Sequence, residues 1–166
     1  MNIRIEALSR KHDRAGFRCG ASALDKWFQV QAGQDEHRNI ARVFVALDSD
    51  EIVGFYSLSM FTLALEDLPT RLSRKLPNYQ AIPAALIGRL ARHERARGWG
   101  IGELLVADAI SRVLNATATV AAYAIVVDAK NDRAASFYES FGFVVFPSRK
   151  NRLFLLCDIA RKAVAQ

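Results

Sequence analysis

"RARGWGIGELLVADAI", residues 95–110, sets three glycines within five positions behind two arginines and then runs into a segment of helical periodicity. Glycine is a poor helix former and brings no side chain to a core, so its concentration ahead of a helix needs a backbone reason. A glycine loop that enters a helix is a device for binding phosphate. The backbone can approach closely, successive amides point outward, and the helix N-terminus adds partial positive charge. Arg95 and Arg97 stand beside it as full charges. Two common phosphate loops fail on spacing. No GxxxxGK followed by Ser or Thr is present, which excludes a Walker loop, and "GWGIGE" lacks the third glycine of the dinucleotide fingerprint GxGxxG.

Outward from the loop, the spacing predicts strand, loop and helix in order. "AALIGRLARHE" (84–94) reads as a strand, and "GELLVADAISRVLN" (102–115) as a helix with Leu104, Leu105, Ala107, Ala109, Ile110 and Leu114 on one broad face. "VAAYAIVVDA" (120–129) reads as a buried strand, "NDRAASFYESFG" (131–142) as a helix stopped by Gly142, and "FVVF" (143–146) and "RLFLLCDI" (152–159) as closing strands. Upstream, "NIRIEAL" (2–8) alternates as a strand. "SALDKWFQVQAGQ" (22–34) has helical spacing with Ser22 as N-cap, and "ARVFVAL" and "IVGFYSLSMFTL" form a hairpin across "DSDE". Residues 66–83 hold three of the four prolines and read as a connection with one short helical turn. The fold class is α/β of the α+β kind: one domain over residues 1–166, with a mixed, mostly antiparallel central sheet flanked by helices.

Composition agrees with an ordered globular chain, at 166 residues with 51% hydrophobic and 24% charged content. No apolar stretch approaches the roughly 20 residues that span a bilayer, and "MNIRIEALSRKHDR" has no apolar signal core, so a cytoplasmic protein with no membrane partner is expected. Cys19 and Cys157 form no CxxC or Cys/His spacing, so neither a disulfide framework nor a metal site is expected. The net charge of +6 favours an anionic partner, whether nucleic acid, coenzyme phosphates or an acidic protein.

Arg97-x-x-Gly100-x-Gly102 resembles the coenzyme A pyrophosphate signature of the GCN5-related N-acetyltransferases (GNAT), which reads Gln or Arg, two residues, Gly, one residue, then Gly or Ala. "NDRAASFYESFGF" resembles the pattern that ends that family's domain. The resemblance implies a single GNAT domain whose strands splay at an acetyl-CoA site. It places the backbone of Leu90, Ala91 and Arg92 along the pantetheine, Arg97, Gly98, Gly100, Ile101 and Gly102 around the pyrophosphate, and Asn131 near the coenzyme. It implies that the hydroxyl of Tyr138 faces the thiol sulfur as general acid. The chemistry suits a phenol, because a group of pKa about 10 can give a proton or hydrogen bond to a thiolate of pKa about 8.5 without being ionised beforehand. Phe137 and Phe141 read as core, and Trp99 as an exposed cap over the cofactor edge. His93 and Glu94, at the strand's end, are both candidates for a general base, and alternation lets only one of them face the cleft.

Four further stretches, "FRCGASALDKWFQVQAGQD", "IVGFYSLS", "LPNYQAIPAALIGRLA" and "DAKNDRAASFYESFGF", are similar to the GNAT toxins of toxin-antitoxin pairs. That similarity implies transfer of acetyl from acetyl-CoA to the α-amino group of aminoacyl-tRNA, a block of translation, a ribbon-helix-helix antitoxin and a homodimer. Arg71, Arg74, Lys75, Arg89 and Arg95 are the candidates for holding the tRNA, with a solvated loop as the alternative for Arg71, Arg74 and Lys75. The chain departs from the toxin pattern in one place: the cofactor strand, commonly R-L-A-V-D, reads Arg89-Leu90-Ala91-Arg92-His93. Two rivals stand beside this reading, a GNAT enzyme for a small amine or a protein amine and a non-catalytic module that binds nucleic acid or a partner.

Overall fold

A computed structural model describes residues 2–76 and 79–165. Alternating apolar residues place Ile3–Ala7 (β1), Arg42–Asp48 (β2) and Glu51–Ala64 (β3) in one antiparallel meander, with Ile3 opposite Asp48 and Arg42 opposite Leu58. Ser49, at φ 56, makes the tight turn between β2 and β3. The remaining strands are Ala81–Arg92 (β4), Ala124–Asp128 (β5), Val144–Phe146 (β6) and Arg149–Leu156 (β7). The sheet order is β1-β2-β3-β4-β5-β7-β6. β4 and β5 are parallel, while β7 pairs antiparallel with both β5 and β6, so the sheet is mixed as expected.

The chain organises into two compact units, and β3 and β4 each pass from one to the other. The first comprises Met1–Ser59 and Gly88–Ala109. Its core joins Phe17, Trp27, Phe28, Val43, Val45, Phe55 and Ala91. Phe28 and Phe55 stack with centroids 4.1 Å apart, and Phe17 meets both edge-on at 5.0 and 5.3 Å. The helical stretch expected over 22–34 is present as α1 (Ser22–Lys26), a π-helical turn (Trp27–Gln31) and α2 (Ala32–His37). Ser22 does not cap it. Ala21 holds the N-cap position without a side-chain bond, and Asp25 instead reaches back to accept the Cys19 amide at 2.9 Å.

Gly54 decides how this unit closes. A Cβ there would stand 2.8 Å from Ile101 Cγ2, 3.0 Å from Leu105 Cδ1 and 3.1 Å from the Ala91 carbonyl oxygen, so the helix Ile101–Ala116 begins in direct contact with the bare backbone of β3. Two of those three neighbours are fully buried side chains and the third is backbone, so none can swing aside. Gly54→Ala is therefore expected to destabilise the fold by about 1–3 kcal/mol through overpacking. A thermal melt checks it, as a loss of roughly 2–4 °C for each kcal/mol in a chain of this size. An unchanged midpoint would contradict the tight approach.

The second unit comprises Met60–Ile87 and Ile110–Gln166. Leu63, Leu68, Leu72, Ile82, Ala84, Val126, Phe146 and Phe154 form its core. The expected connection after β3 contains one short helix, α3 (Thr70–Ser73), but it ends sooner than its prolines suggested, because Ala81–Pro83 already belong to β4. Pro77 and Asn78, also within it, lie outside the described residues. With Ile101–Ala116 as α4, the next helix is α5 (Asp132–Glu139), stopped by Gly142 at φ +96. β5 is shorter than the apolar run that encodes it. The closing strand also ends early: Cys157–Val164 is a helix, α6, not the tail of "RLFLLCDI". Its buried Cys157 and Ala160, three apart among Asp158, Arg161 and Lys162, follow helical rather than strand spacing. Cys157 is a buried free thiol, and the Cys19 thiol donates to the Ala21 carbonyl at 3.6 Å.

Candidate active site

In the first unit, β4 leads through a 3₁₀ turn (Glu94–Ala96) and the glycine loop into α4. Gly98 and Gly100 have φ of +82 and +76, a conformation that side-chain-bearing residues rarely adopt. They flank half-buried Trp99, whose amide donates to the Ala96 carbonyl at 3.1 Å. The Gly100 carbonyl accepts from Leu104, which makes Gly100 the N-cap of α4 and leaves the amides of Ile101, Gly102 and Glu103 without an intrahelical acceptor. Nothing lies within 4 Å of where a Cβ on Gly98 would stand, so the loop has open space on that side. Gly102 behaves differently from the other two, because it sits in the first turn of α4 and is not among the positive-φ residues.

The strand before the loop has a free stretch. β4 pairs with β5 only from Ala84↔Ala124 to Ile87↔Val127, and Gly88, Arg89, Leu90, Ala91 and Arg92 extend past the last rung. On its other side the strand is hydrogen-bonded to β3. The Ser57 hydroxyl accepts the Arg89 amide at 3.1 Å, and the His93 amide donates to the Val53 carbonyl at 2.8 Å. Ala91 packs into the aromatic core, so alternation sends Leu90 and Arg92 to the opposite face, the one on which Gly54 meets α4. Arg92 leaves its Nη1 buried with no hydrogen-bond partner among the described residues. A buried, unsatisfied donor of a cationic group costs free energy until an acceptor arrives. Free strand backbone, two left-handed glycines, helix-start amides and an unsatisfied guanidinium nitrogen together fit an extended ligand that ends in phosphate.

His93 is not a free base. Its Nδ1 accepts the Arg95 amide at 3.1 Å and its Nε2 lies 3.4 Å from the Gly16 carbonyl, so both ring nitrogens are engaged by backbone. The ring also meets Phe17 edge-on at 5.4 Å. Glu94 is exposed beyond the end of β4 with its amide on the Arg18 carbonyl. The two residues share the turn after the strand rather than opposite faces of it.

Of the basic candidates in this unit, Arg89 lies 4.2 Å from the Trp27 ring centroid. Gln31 donates to Asp35 at 3.1 Å and the Trp27 indole donates to the same carboxylate at 3.0 Å, and these bonds, with the charge of Arg89, hold Asp35 below the usual carboxylate range. The π-helical turn and α2 thus give Arg89 an aromatic face and a fixed anion nearby. No spacing signal in the sequence announces this arrangement. Arg95 is paired with Glu51 at 2.7 Å and stands 5.8 Å from the Trp99 ring. Arg97 is exposed.

In the second unit, Asn131 caps α5, its Oδ1 accepting the Ala134 amide at 2.8 Å. Tyr138, on the same helix, is 7% exposed and is flanked edge-on by Phe137 and Phe143 at 5.4 and 5.7 Å. Phe137 and Phe141 are only half-buried, so the aromatic enclosed most completely by this helix is the tyrosine and not the two expected core residues. The Tyr138 hydroxyl makes no hydrogen bond among the described residues, and burial pushes its pKa up to about 12. It therefore stays protonated across the physiological range as an uncommitted donor. Arg71, Arg74 and Lys75 are exposed in and just after α3. No group of three or more His, Cys, Asp or Glu among the described residues could hold a metal ion, and no described helix is long and apolar enough to cross a membrane.

Comparison with known proteins bears on this geometry. Residues 39–145 match the family model described as an acetyltransferase (GNAT) domain. The probable toxin TacT of Sinorhizobium fredii is 32% identical, with 91% of this chain and 89% of that protein aligned. A tRNA-acetylating toxin of Mycobacterium tuberculosis is also 32% identical, over 95% of this chain and 93% of its own. Among solved structures, AtaT complexed with acetyl-methionyl-tRNAfMet superposes with a TM-score of 0.91 at 26% identity, over 99% and 100% of the two chains. AtaTR bound with acetyl-CoA gives 0.85 at 27% identity over 98% of each chain. A tyrosine-to-phenylalanine variant of the AtaT toxin bound to the C-terminus of the antitoxin AtaR gives 0.85 at 25% identity, over 100% and 99%.

Proposed function

The chain belongs to the GNAT family of N-acetyltransferases, and on that premise we propose that it is a toxin that moves the acetyl group of acetyl-CoA to the α-amino group of aminoacyl-tRNA. The observation that carries the reading is the continuous cradle of the first unit, from the free end of β4 through Gly98 and Gly100 to the start of α4. It agrees with the relative bound to acetyl-CoA, the tRNA-acetylating relative and the one complexed with acetyl-methionyl-tRNAfMet. A block of translation and neutralisation by an antitoxin follow from the same reading. A ribbon-helix-helix antitoxin, a homodimeric toxin and a cytoplasmic site of action belong to this proposal.

Each residue then has a role. Acetyl-CoA supplies a thioester that is activated toward amines. The amides of Gly98, Gly100, Ile101 and Gly102, with Arg97, hold the pyrophosphate, and the backbone of Leu90, Ala91 and Arg92 takes the pantetheine amides as an added strand would. The Arg92 side chain brings an unsatisfied N–H to the same neighbourhood. As the amine nitrogen bonds to the carbonyl carbon and the carbon–sulfur bond breaks, Tyr138 gives its proton to the departing sulfur. The amine proton goes to water, and water returns a proton to the Tyr138 phenolate. An α-amino group has a pKa near 7.7–8.0, whereas an ε-amino group near 10.4 would need a protein base, and His93 has no ring nitrogen free for that task. Arg71, Arg74, Lys75, Arg89 and Arg95 hold tRNA phosphates, and Asn131 fixes the start of the helix that carries Tyr138.

Labelled acetyl-CoA incubated with charged and with deacylated tRNA tests the reading. Label is expected in the charged RNA alone. Label in a polyamine, or in protein amines with none in charged tRNA, would favour the rival acetyltransferase.

A further inference from the structure

Eleven of the 23 lysines and arginines but only six of the 17 acidic residues fall in Met60–Ile87 and Ile110–Gln166, so the second unit carries nearly all of the chain's positive excess. Within that unit a cavity of about 640 Å³ opens beside α3. Leu65, Glu66, Ser73, Arg74, Tyr79 and Gln80 are among the residues that line it. The lining is tied by backbone: the Leu65 amide donates to the Gln80 carbonyl at 3.3 Å, Tyr79 to Leu76 at 3.3 Å and Arg74 to Thr70 at 3.1 Å. Leu63, Leu68, Leu72 and Ile82 of the same unit are buried, so the cavity's walls grow out of elements anchored in its core. Tyr79 is 59% exposed and is the one aromatic among the described residues with more than half its surface in solvent.

An exposed ring beside a guanidinium, a carboxylate and an amide is the set of groups with which proteins hold an unpaired base. The ring stacks on the base face, the guanidinium takes a phosphate, and the acceptors read the base edge. Glu66 can only accept when ionised, which selects a base that carries an exocyclic amino group over one that does not. We propose that this cavity takes an unpaired amino-bearing nucleobase of RNA, cytosine, adenine or guanine, stacked on Tyr79 with its amino group on Glu66 and its phosphate on Arg74. The inference rests on the tRNA reading, but it assigns base reading to residues that take no part in acetyl transfer.

Fluorescence anisotropy with the full chain and short labelled oligoribonucleotides, cytidine-rich and uridine-rich, tests it without any acetyl transfer. Cytidine-rich RNA is expected to bind more tightly than uridine-rich RNA. Tyr79→Ala is expected to weaken binding roughly 5- to 100-fold, and Tyr79→Phe to keep it near the original value. Glu66→Ala should erase the preference for cytidine, and Arg74→Ala should lower the salt slope by about one. Equal binding by Tyr79→Ala, with an unchanged melt, overturns the proposal, as does equal affinity of the unaltered protein for the two RNAs. If Tyr79→Ala keeps RNA affinity and loses neutralisation by an antitoxin, the occupant is a protein segment and the proposal is wrong. Base-selective binding without acetylation of charged tRNA would sink the toxin reading while supporting this one.

Discussion

Tyr138→Phe is expected to lower kcat for acetyl transfer by about 10²–10⁴-fold, the range that a positioned general acid contributes. The substitution removes one oxygen that makes no hydrogen bond among the described residues and leaves the ring between Phe137 and Phe143. Affinity for acetyl-CoA, read by calorimetry, should stay within about two-fold, since the loss falls on the transition state and not on ground-state binding. The phenol also leaves a signature in stability. Its folded pKa of about 12 lies above the ordinary value of 10.0, so the native state keeps a proton that the unfolded chain releases. That contribution is fully present below pH 10, falls as pH rises toward 12, and should be missing from the alkaline melts of Tyr138→Phe. A variant with unchanged kcat would remove Tyr138 from the mechanism.

Replacing Gly98 or Gly100 is expected to have the second largest effect, and on binding. At Gly98 a Cβ meets nothing, so Gly98→Val probes the φ of +82 alone. At Gly100 the φ of +76 is joined by a contact, because a Cβ would stand 3.3 Å from a carboxylate oxygen of Glu103. A β-branched residue forced into this region costs on the order of 1–3 kcal/mol. If the loop relaxes instead of bearing that strain, its amides leave the cradle, and acetyl-CoA affinity should fall roughly 5- to 100-fold, with the thermal midpoint reporting the remainder. Gly102→Ala is the internal control. Gly102 lies within α4, where alanine is the better helix former, so backbone conformation alone predicts a smaller loss of affinity there. Equal losses at all three positions would contradict the division of labour among the glycines.

Much of the fold was legible because strand alternation and the glycine loop are local signals. The hairpin at Ser49, the loop-to-helix junction and the stop at Gly142 follow from residues close together in the chain. The parts that were not legible depend on residues far apart. The engagement of His93 is set by a carbonyl at Gly16, and the pinning of Arg89 by the hydroxyl of Ser57 on another strand. That Gly98 and Gly100 are left-handed while Gly102 is helical depends on where α4 begins, and glycine spacing alone does not determine it. α6 is hidden in the sequence because the apolar run of β7 continues into its first residue. Tyr138 stood out by its motif, but the burial that keeps it protonated belongs to the packed helix.

The most direct test of the central claim is mass spectrometry of a total charged tRNA pool after incubation with this protein and acetyl-CoA, followed by nuclease release of the terminal aminoacyl-adenosines. The account predicts aminoacyl-adenosines that carry one added acetyl group on the α-amino nitrogen, and their absence when Tyr138→Phe is used. Unmodified aminoacyl-adenosines from a protein that binds acetyl-CoA and acetylates another amine would contradict it.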